Sequence, residues 1–318
     1  MTTLATPFSA QVNLIQPIID GLAHGAAYGL LGLGLVLIYK SNRIFNFAQG
    51  EFAGVGALMT YMIYTGYSFL PKLPFGLAAV AGLLAGILTA LATERAVIRP
   101  LFHRPRVVLV VGTVGVTLLL IGVEGLVFPR GGALPTVDAV VGLDTPYLTK
   151  IDGVPLLYQN LLTLAVLAIL AVGAFLFFRH TNTGTAILAV SQDSTAARVV
   201  GISIERISMI TWGIAGLLGG IAGIILAVPP AGTVLPGAFT GTILTVAFSA
   251  AVLGGMTSLP GAFAGGLLMG LIEAFANADY SFIPGLSSLP SAQSEVAVAV
   301  VLLLVLLARP QGLLGREV

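Results

Sequence analysis

The sequence predicts an all-α fold: a polytopic membrane helix bundle of about eight to nine membrane segments, with the N-terminus outside and the C-terminus cytoplasmic. Three observations predict it. Apolar runs follow one another from Pro17 to Ala308, several of them near the ~20 residues that a ~30 Å hydrocarbon core requires. Hydrophobic residues make up 57 % of the chain and charged residues 8 %, with a mean hydropathy of +1.03. Lys and Arg gather in the loops on one side of the expected layer.

The runs fall at 17–38, 44–67, 74–93, 107–127, 155–178, 207–228, 241–257, 261–277 and 295–308. Without water inside a bilayer each must satisfy its own backbone, as a helix or as part of a closed barrel. Barrel strands alternate apolar and polar residues, whereas Leu161–Phe178 is apolar on every side, so the runs are helices. Residues 1–16 read as a polar tail without a basic n-region, 17–308 as one membrane domain and 309–318 as a cytoplasmic tail. The first segment then also serves as the insertion signal.

Orientation follows from the positive-inside rule. With the N-terminus outside, the inner side holds Lys40, Arg43, Arg95, Arg99, Arg104, Arg106, Arg179, Arg198, Arg206, Arg309 and Arg316, and the outer side only Lys72, Arg130 and Lys150, eleven against three. The seventh and eighth runs are the weak part of the count. Gly241–Leu253 before Gly254-Gly255 has 13 residues, about 20 Å of helix at 1.5 Å per residue. The pair is read either as short spans or as a re-entrant hairpin. Short, Gly/Pro-interrupted segments of this kind line substrate paths in many transporters. Of the 40 glycines, many form ladders four residues apart (Gly21/Gly25/Gly29, Gly50/Gly54, Gly82/Gly86, Gly216/Gly220, Gly261/Gly265, Gly266/Gly270), which is how helices pack closely in lipid.

Composition excludes several function classes. A chain of 318 residues with no long hydrophilic insert has no room for a soluble catalytic domain. A net charge of +1 gives no reason to bind nucleic acid, and zero cysteines exclude disulfides and thiolate metal sites. No His/Asp/Glu cluster has metal spacing and no nucleophile motif is present. There is no phosphate-binding G-x-x-x-x-G-K-[ST], so if ATP drives this protein another chain binds it.

Two polar features stand out. The first is Asn42–Phe52, which places Asn46, Gln49 and Glu51 at the start of the second segment with Gly50 among them. Polar groups at membrane depth are costly and are functional candidates, lining a pathway or gate. The competing reading is local: Asn46 caps the helix and Glu51 complements its positive end. The second is the cytoplasmic stretch 179–206, where Ser191 or Asp193 is placed to cap a short helix that Gly201 ends, with Arg198 and Glu205 as its charged residues. Such a helix is either a docking element for a soluble partner or a solvated connection. Elsewhere, Glu94 is expected to pair with adjacent Arg95, and Asp20, Glu124 and Glu295 to lie near outer ends where snorkelling is cheap.

Gly21–Leu30 through Asn46–Glu51 resembles the N-terminal signature of branched-chain amino acid ABC transporter permeases, of the shorter, H-type subunit. Thr183-Gly184 through Gly201-Ile202 resembles the cytoplasmic loop of those permeases. Ala250–Ala262, with Gly254, Gly255, Pro260 and Gly261, continued by Gly265–Gly270, resembles their late Gly-rich motif. The resemblance covers almost the whole chain. It implies a permease subunit of an importer for leucine, isoleucine and valine in a bacterial inner membrane. Its partners are a second, related permease, two ATP-binding cassette subunits that hold the ATP, an external substrate-binding protein and membrane lipid. This chain itself holds no cofactor. Ala189–Gly201 becomes the coupling helix and Asn46, Gln49, Gly50 and Glu51 a translocation path or inner gate. The same family includes importers of urea, amides and other amino acids. Outside it, the alternative is a self-contained channel or ion-coupled carrier, which the sparse buried carboxylates disfavour.

Overall fold

The computed structural model describes residues 14–68, 70–127, 132–151, 154–228, 235–278, 293–309 and 311–314. The expected polar tail over 1–13 and the last four residues lie outside them, as does the side chain of Glu295. Each of the nine apolar runs contains a helix. They are α1 (Ile15–Asn42), α2 (Gln49–Thr65), α3 (Phe75–Thr93), α5 (Arg106–Val127), α7 (Tyr158–His180), α10 (Ile204–Leu226), α11 (Leu244–Gly254), α12 (Leu259–Ala276) and α13 (Gln293–Ala308). α3 continues through a π turn at Glu94–Ile98 into one further turn, α4 (Arg99–Leu101). Short α6 (Val137–Val141) lies between α5 and α7, while α8 (Asn182–Gln192) and α9 (Ser194–Val199) lie between α7 and α10.

Among the described residues six helical stretches are long and apolar enough to cross a membrane, and Phe239–Gly254 and Val296–Ala308 are shorter apolar helices. The fold is helical with one addition that hydropathy did not reveal. The loop before α7 carries an antiparallel hairpin of β1 (Tyr147–Ile151) and β2 (Val154–Leu157), with Tyr147 opposite Leu157.

The bundle is layered by residue size. α1 is its axis: 89 % of its most apolar window is buried, against 22 % for α3 and α5 and 11 % for α7. Outer helices turn large apolar side chains outward, as with Leu77, Val80, Leu84 and Leu88 along one stripe of α3. Such a stripe is intolerable in water over this length and natural against lipid tails.

The glycine ladders decide which helices touch. A Cβ on Gly266 of α12 would lie 2.3 Å from Gly29 Cα, and one on Gly270 2.3 Å from Gly25 Cα, so α1 and α12 meet backbone to backbone. The Gly216/Gly220 ladder of α10 does the same against Gly86 and Gly56, where a Cβ added to Gly56 would lie 2.9 Å from Gly220 Cα. α11 and α12 close at Gly254 and Gly261, where an added Cβ would reach 1.9 Å from the facing carbonyl. Close backbones gain dispersion contacts that lipid cannot supply.

One expectation changes. Glu94 pairs with Arg99, at 3.0 Å, and not with Arg95. The π turn is the reason: its i→i+5 bond from the Arg99 amide to the Glu94 carbonyl stacks residue 99 over residue 94. The C-terminal tail is docked where it is described. Leu313 N donates to Leu253 O (2.7 Å) and Leu314 N to Gly254 O (3.1 Å), covering carbonyls left open at the end of α11.

Candidate functional site

α1 stops at Arg43, which adopts φ 54° while its amide bonds Tyr39 O at 2.8 Å. The chain then passes through 44–48 without helical bonds before α2 begins at Gln49. Asn46 shapes that passage. Its Oδ1 accepts from Ala48 N at 3.1 Å, a local Asx-type turn, and α2 itself has no side-chain cap. The capping role expected of Asn46 is therefore exercised one step before the helix.

Asn46, Gln49 and Glu51 are 1 %, 0 % and 0 % exposed. Asn46 Nδ2 reaches Gln49 Oε1 at 3.4 Å, and Gln49 Nε2 donates to Ala215 O of α10 at 2.9 Å. On the other side, the Thr113 hydroxyl of α5 donates to Phe45 O (3.4 Å) and accepts from Phe47 N (3.3 Å). Glu51 does more than complement a helix end, since it accepts a hydrogen bond from the Thr240 hydroxyl. Thr240 belongs to the π turn Phe239–Ile243 that opens α11. A Cβ on Gly50 would lie 2.8 Å from Phe239 O, so glycine at this position admits that turn against α2. Asn46, Gln49, Gly50 and Glu51 thus form one buried polar cluster where α2, α5, α10 and the start of α11 converge.

The cluster contains residues that sequence reasoning misplaced. Glu124, expected to snorkel at the outer end of α5, is 1 % exposed and points inward, its carboxylate accepting from Gly237 N at 3.1 Å. Both Glu124 Oε1 and Glu51 Oε2 lie beside Gly54, 3.1 and 3.3 Å from the place its Cβ would take. The available signal was a lone acid in an otherwise apolar run. What hid its role is that its partner stands 73 positions earlier, 124 − 51. Asp20 also turns inward, accepting from Gln16 Nε2 (2.5 Å) and Asn160 Nδ2 (3.3 Å). It lines a cavity of about 160 Å³ with His24 and Gln159 at the end of the bundle where α1 and α7 begin.

At the opposite end lies the 179–206 stretch. Asp193 is the cap: its Oδ1 accepts from Thr195 N (2.8 Å) and Ala196 N (3.0 Å) at the start of α9. Ser191 is not, because it ends α8 and its hydroxyl donates back to Leu188 O at 2.7 Å. Gly201 follows α9 at φ 89°, with Arg198, Gly201 and Glu205 on the exposed side. The underside packs as Ile187, Val190, Ala197, Ile204 and Ile207. Val199 and Val200 are 83 % and 76 % exposed, an apolar tip that went unnoticed in the sequence. Asp193→Ala is expected to lower the stability of this segment by about 1 kcal/mol, the usual worth of an N-cap. Amide exchange over 194–200 checks it, with faster exchange there and none elsewhere.

The stretch is tied to the buried cluster through the end of α1. Arg43 Nη2 donates to Ser191 O at 2.5 Å and Asn42 Nδ2 to Ser208 Oγ at 3.0 Å. Lys40 Nζ donates to Thr257 O at 3.0 Å, joining the Gly254–Gly261 turn to the same place. In that turn Gly255 takes φ 99°, Pro260 stands in the first turn of α12 and Ser258 caps it by accepting from Gly261 N. Gly254, Gly255, Pro260 and Gly261 therefore stand apart from the Asn46–Glu51 cluster and brace α11 on α12. A cavity of about 670 Å³ lined by Arg43, Arg104, Arg106, Asp193 and Arg198 opens between these segments.

Comparison with known proteins shows the family of the chain. The family described as branched-chain amino acid transport system / permease component matches residues 18–308. The high-affinity branched-chain amino acid transport system permease protein BraD of Pseudomonas aeruginosa is 30 % identical, over 96 % of this chain and 96 % of its own length. The corresponding permease protein LivH of Escherichia coli (strain K12) is 29 % identical over 95 % and 96 %. The galactofuranose transporter permease protein YtfT of the same strain is 30 % identical over 92 % of this chain and 79 % of its own.

Proposed function

Since this chain belongs to the branched-chain amino acid transport permease family, whose members are transport components and not enzymes, we propose that it is the H-type permease subunit of an ATP-driven importer of leucine, isoleucine and valine. It lies in a bacterial inner membrane with its N-terminus outside. It works beside a second, related permease, two ATP-binding cassette subunits on the cytoplasmic face and an external substrate-binding protein. The observation that carries the reading is the family match over 18–308 together with a buried polar cluster inside an apolar bundle.

The mechanism follows the hydrogen bonds. The ATPases hold the 179–206 segment at Ser191, Asp193, Arg198, Gly201 and Glu205, with the Val199–Val200 tip as apolar anchor. When they close, the motion passes from Ser191 O to Arg43 and from Ser208 to Asn42. Three residues on, it reaches Asn46, Gln49, Gly50 and Glu51, which form the gate. Packed interfaces switch between discrete arrangements, so a small shift at one end suffices to repack the other. The Gly254–Gly261 turn is the fixed support.

Arg43→Gly tests this link, because glycine takes the positive φ without strain while the guanidinium is lost. The complex is expected to assemble, and substrate stimulation of its ATPase to fall more than fivefold. Unchanged stimulation removes Arg43 from the path.

The deciding experiment purifies the tagged chain with its partners from its native membrane, reconstitutes the complex and measures ATP-dependent leucine uptake against competitors. Competition by isoleucine and valine, with none by urea or galactofuranose, is the expected outcome. Competition by the sugar alone moves the substrate to that of the galactofuranose relative. Recovery of the chain without ATPases, with uptake independent of ATP, favours the self-contained carrier.

A further inference from the structure

Glu51 and Glu124 each spend one carboxylate oxygen on the protein and leave the other without a donor. Glu51 Oε1 accepts from Thr240 and Glu124 Oε2 from Gly237 N, while Glu51 Oε2 and Glu124 Oε1 are buried against each other with no donor from a third residue among the described ones. The two orphans converge on the same spot, since a Cβ on Gly54 would lie 3.3 Å from one and 3.1 Å from the other. A buried acceptor without a donor is costly, and two that face each other more so.

Among the described residues no cationic side chain serves them. α2, the 235–254 segment and α3 through Thr93 carry no Lys, Arg or His. α5 has only Arg106 at its far end, α10 only Glu205 and Arg206 in its first turn, and α1 between 25 and 38 no ionisable group but Tyr28. The site therefore offers two converging acceptors and a hydroxyl at Thr240, closely packed around Gly54, and lacks a small multiple donor. A primary ammonium carries three N–H donors on one nitrogen.

We infer that Glu51 and Glu124 form a subsite for the primary ammonium group of the transported solute. This rests on the reading that the chain conducts an amino acid, and it adds which end of the solute the bundle senses. The carboxylate end is left to other groups, and a neutral sugar brings hydroxyl donors but no positive charge to pair with the two acids. Charge-assisted bonds to both oxygens would form as the solute passes Gly54 and break as the π turn at Phe239–Ile243 moves away from α2.

The test uses the reconstituted complex with its partners and three probes: leucine, isopentylamine, which lacks the carboxylate, and 4-methylpentanoate, which lacks the ammonium. Thermal protection of the purified complex is read at rising probe concentration. Leucine and isopentylamine are expected to raise Tm and 4-methylpentanoate not to. In Glu51→Gln and Glu124→Gln the half-effect concentration of the amine should rise at least tenfold, while Glu124→Asp retains part of the response. Equal protection by the acid, or no response to the amine, overturns the subsite; in the latter case the two oxygens share a proton alone. If either variant fails to accumulate, the comparison of amine with acid on the unaltered complex decides by itself. Failure of the subsite with leucine import intact leaves the importer reading standing. Absence of amino acid import sinks that reading instead.

Discussion

Gly266→Val is expected to deplete folded protein more than tenfold. A Cβ at this position would lie 2.3 Å from Gly29 Cα and N and 2.8 Å from Gly25 O, all backbone atoms that cannot swing aside. Carbon contacts need about 3.5–4.0 Å, so α1 and α12 must part by over ~1 Å along their whole seam. Overpacking costs about 1–3 kcal/mol where side chains can adjust, and more where they cannot. Set against a total stability of about 5–15 kcal/mol, and with α1 as the axis of the bundle, that loss is disabling. Gly173→Ala on α7 is the control, because nothing lies within 4 Å of its added Cβ. Size-exclusion profiles and Tm of the two tagged variants check the pair; equal profiles would show that the seam does not organise the bundle.

Gln49→Glu is expected to reduce uptake to below a hundredth, with only a minor change in shape. The two side chains are nearly isosteric, so packing against Gly34 and Gly219 is kept. What changes is chemistry. The Nε2 donor 2.9 Å from Ala215 O becomes an acceptor facing an acceptor, and a third carboxylate joins Glu51 and Glu124 in a cluster whose helices carry cations only at Arg106 and Arg206, in their first turns. Losing a buried hydrogen bond and burying an unpaired charge costs about 3 kcal/mol or more. The bundle relieves it by separating α2 from α10, which would disable the proposed gate. Leucine uptake normalised to the amount of complex checks it, and rates within twofold of the unaltered protein would take Gln49 out of the gate.

Much of this molecule was legible in its residues. Every apolar run contained a helix, because bilayer thickness sets the run length and lipid forces the backbone to satisfy itself. Asn46–Glu51 stood out for the same reason, as polar groups where apolar ones are the rule. Helix ends were partly legible. Asp193 and Ser191 are both good caps by type, and the fold chose Asp193 because α9 starts one residue after it. The π turns were not legible, and with them went the Glu94–Arg99 pair and the placement of Thr240.

The sequence by itself determined what depends on neighbours a few residues apart and on the solvent: a helical membrane bundle, its segments, the turn at Asn46, the stop at Gly201 and the membership of its family. Only the tertiary structure decided which glycine ladder meets which, that Glu124 turns inward to meet Glu51, and that Arg43 ties Ser191 to the end of α1. The reason is physical. Hydropathy says that a residue is buried and not against what, and in lipid, where no water separates inside from outside, the choice of partner rests on close backbone contact and on a few polar groups that must find one another across the chain.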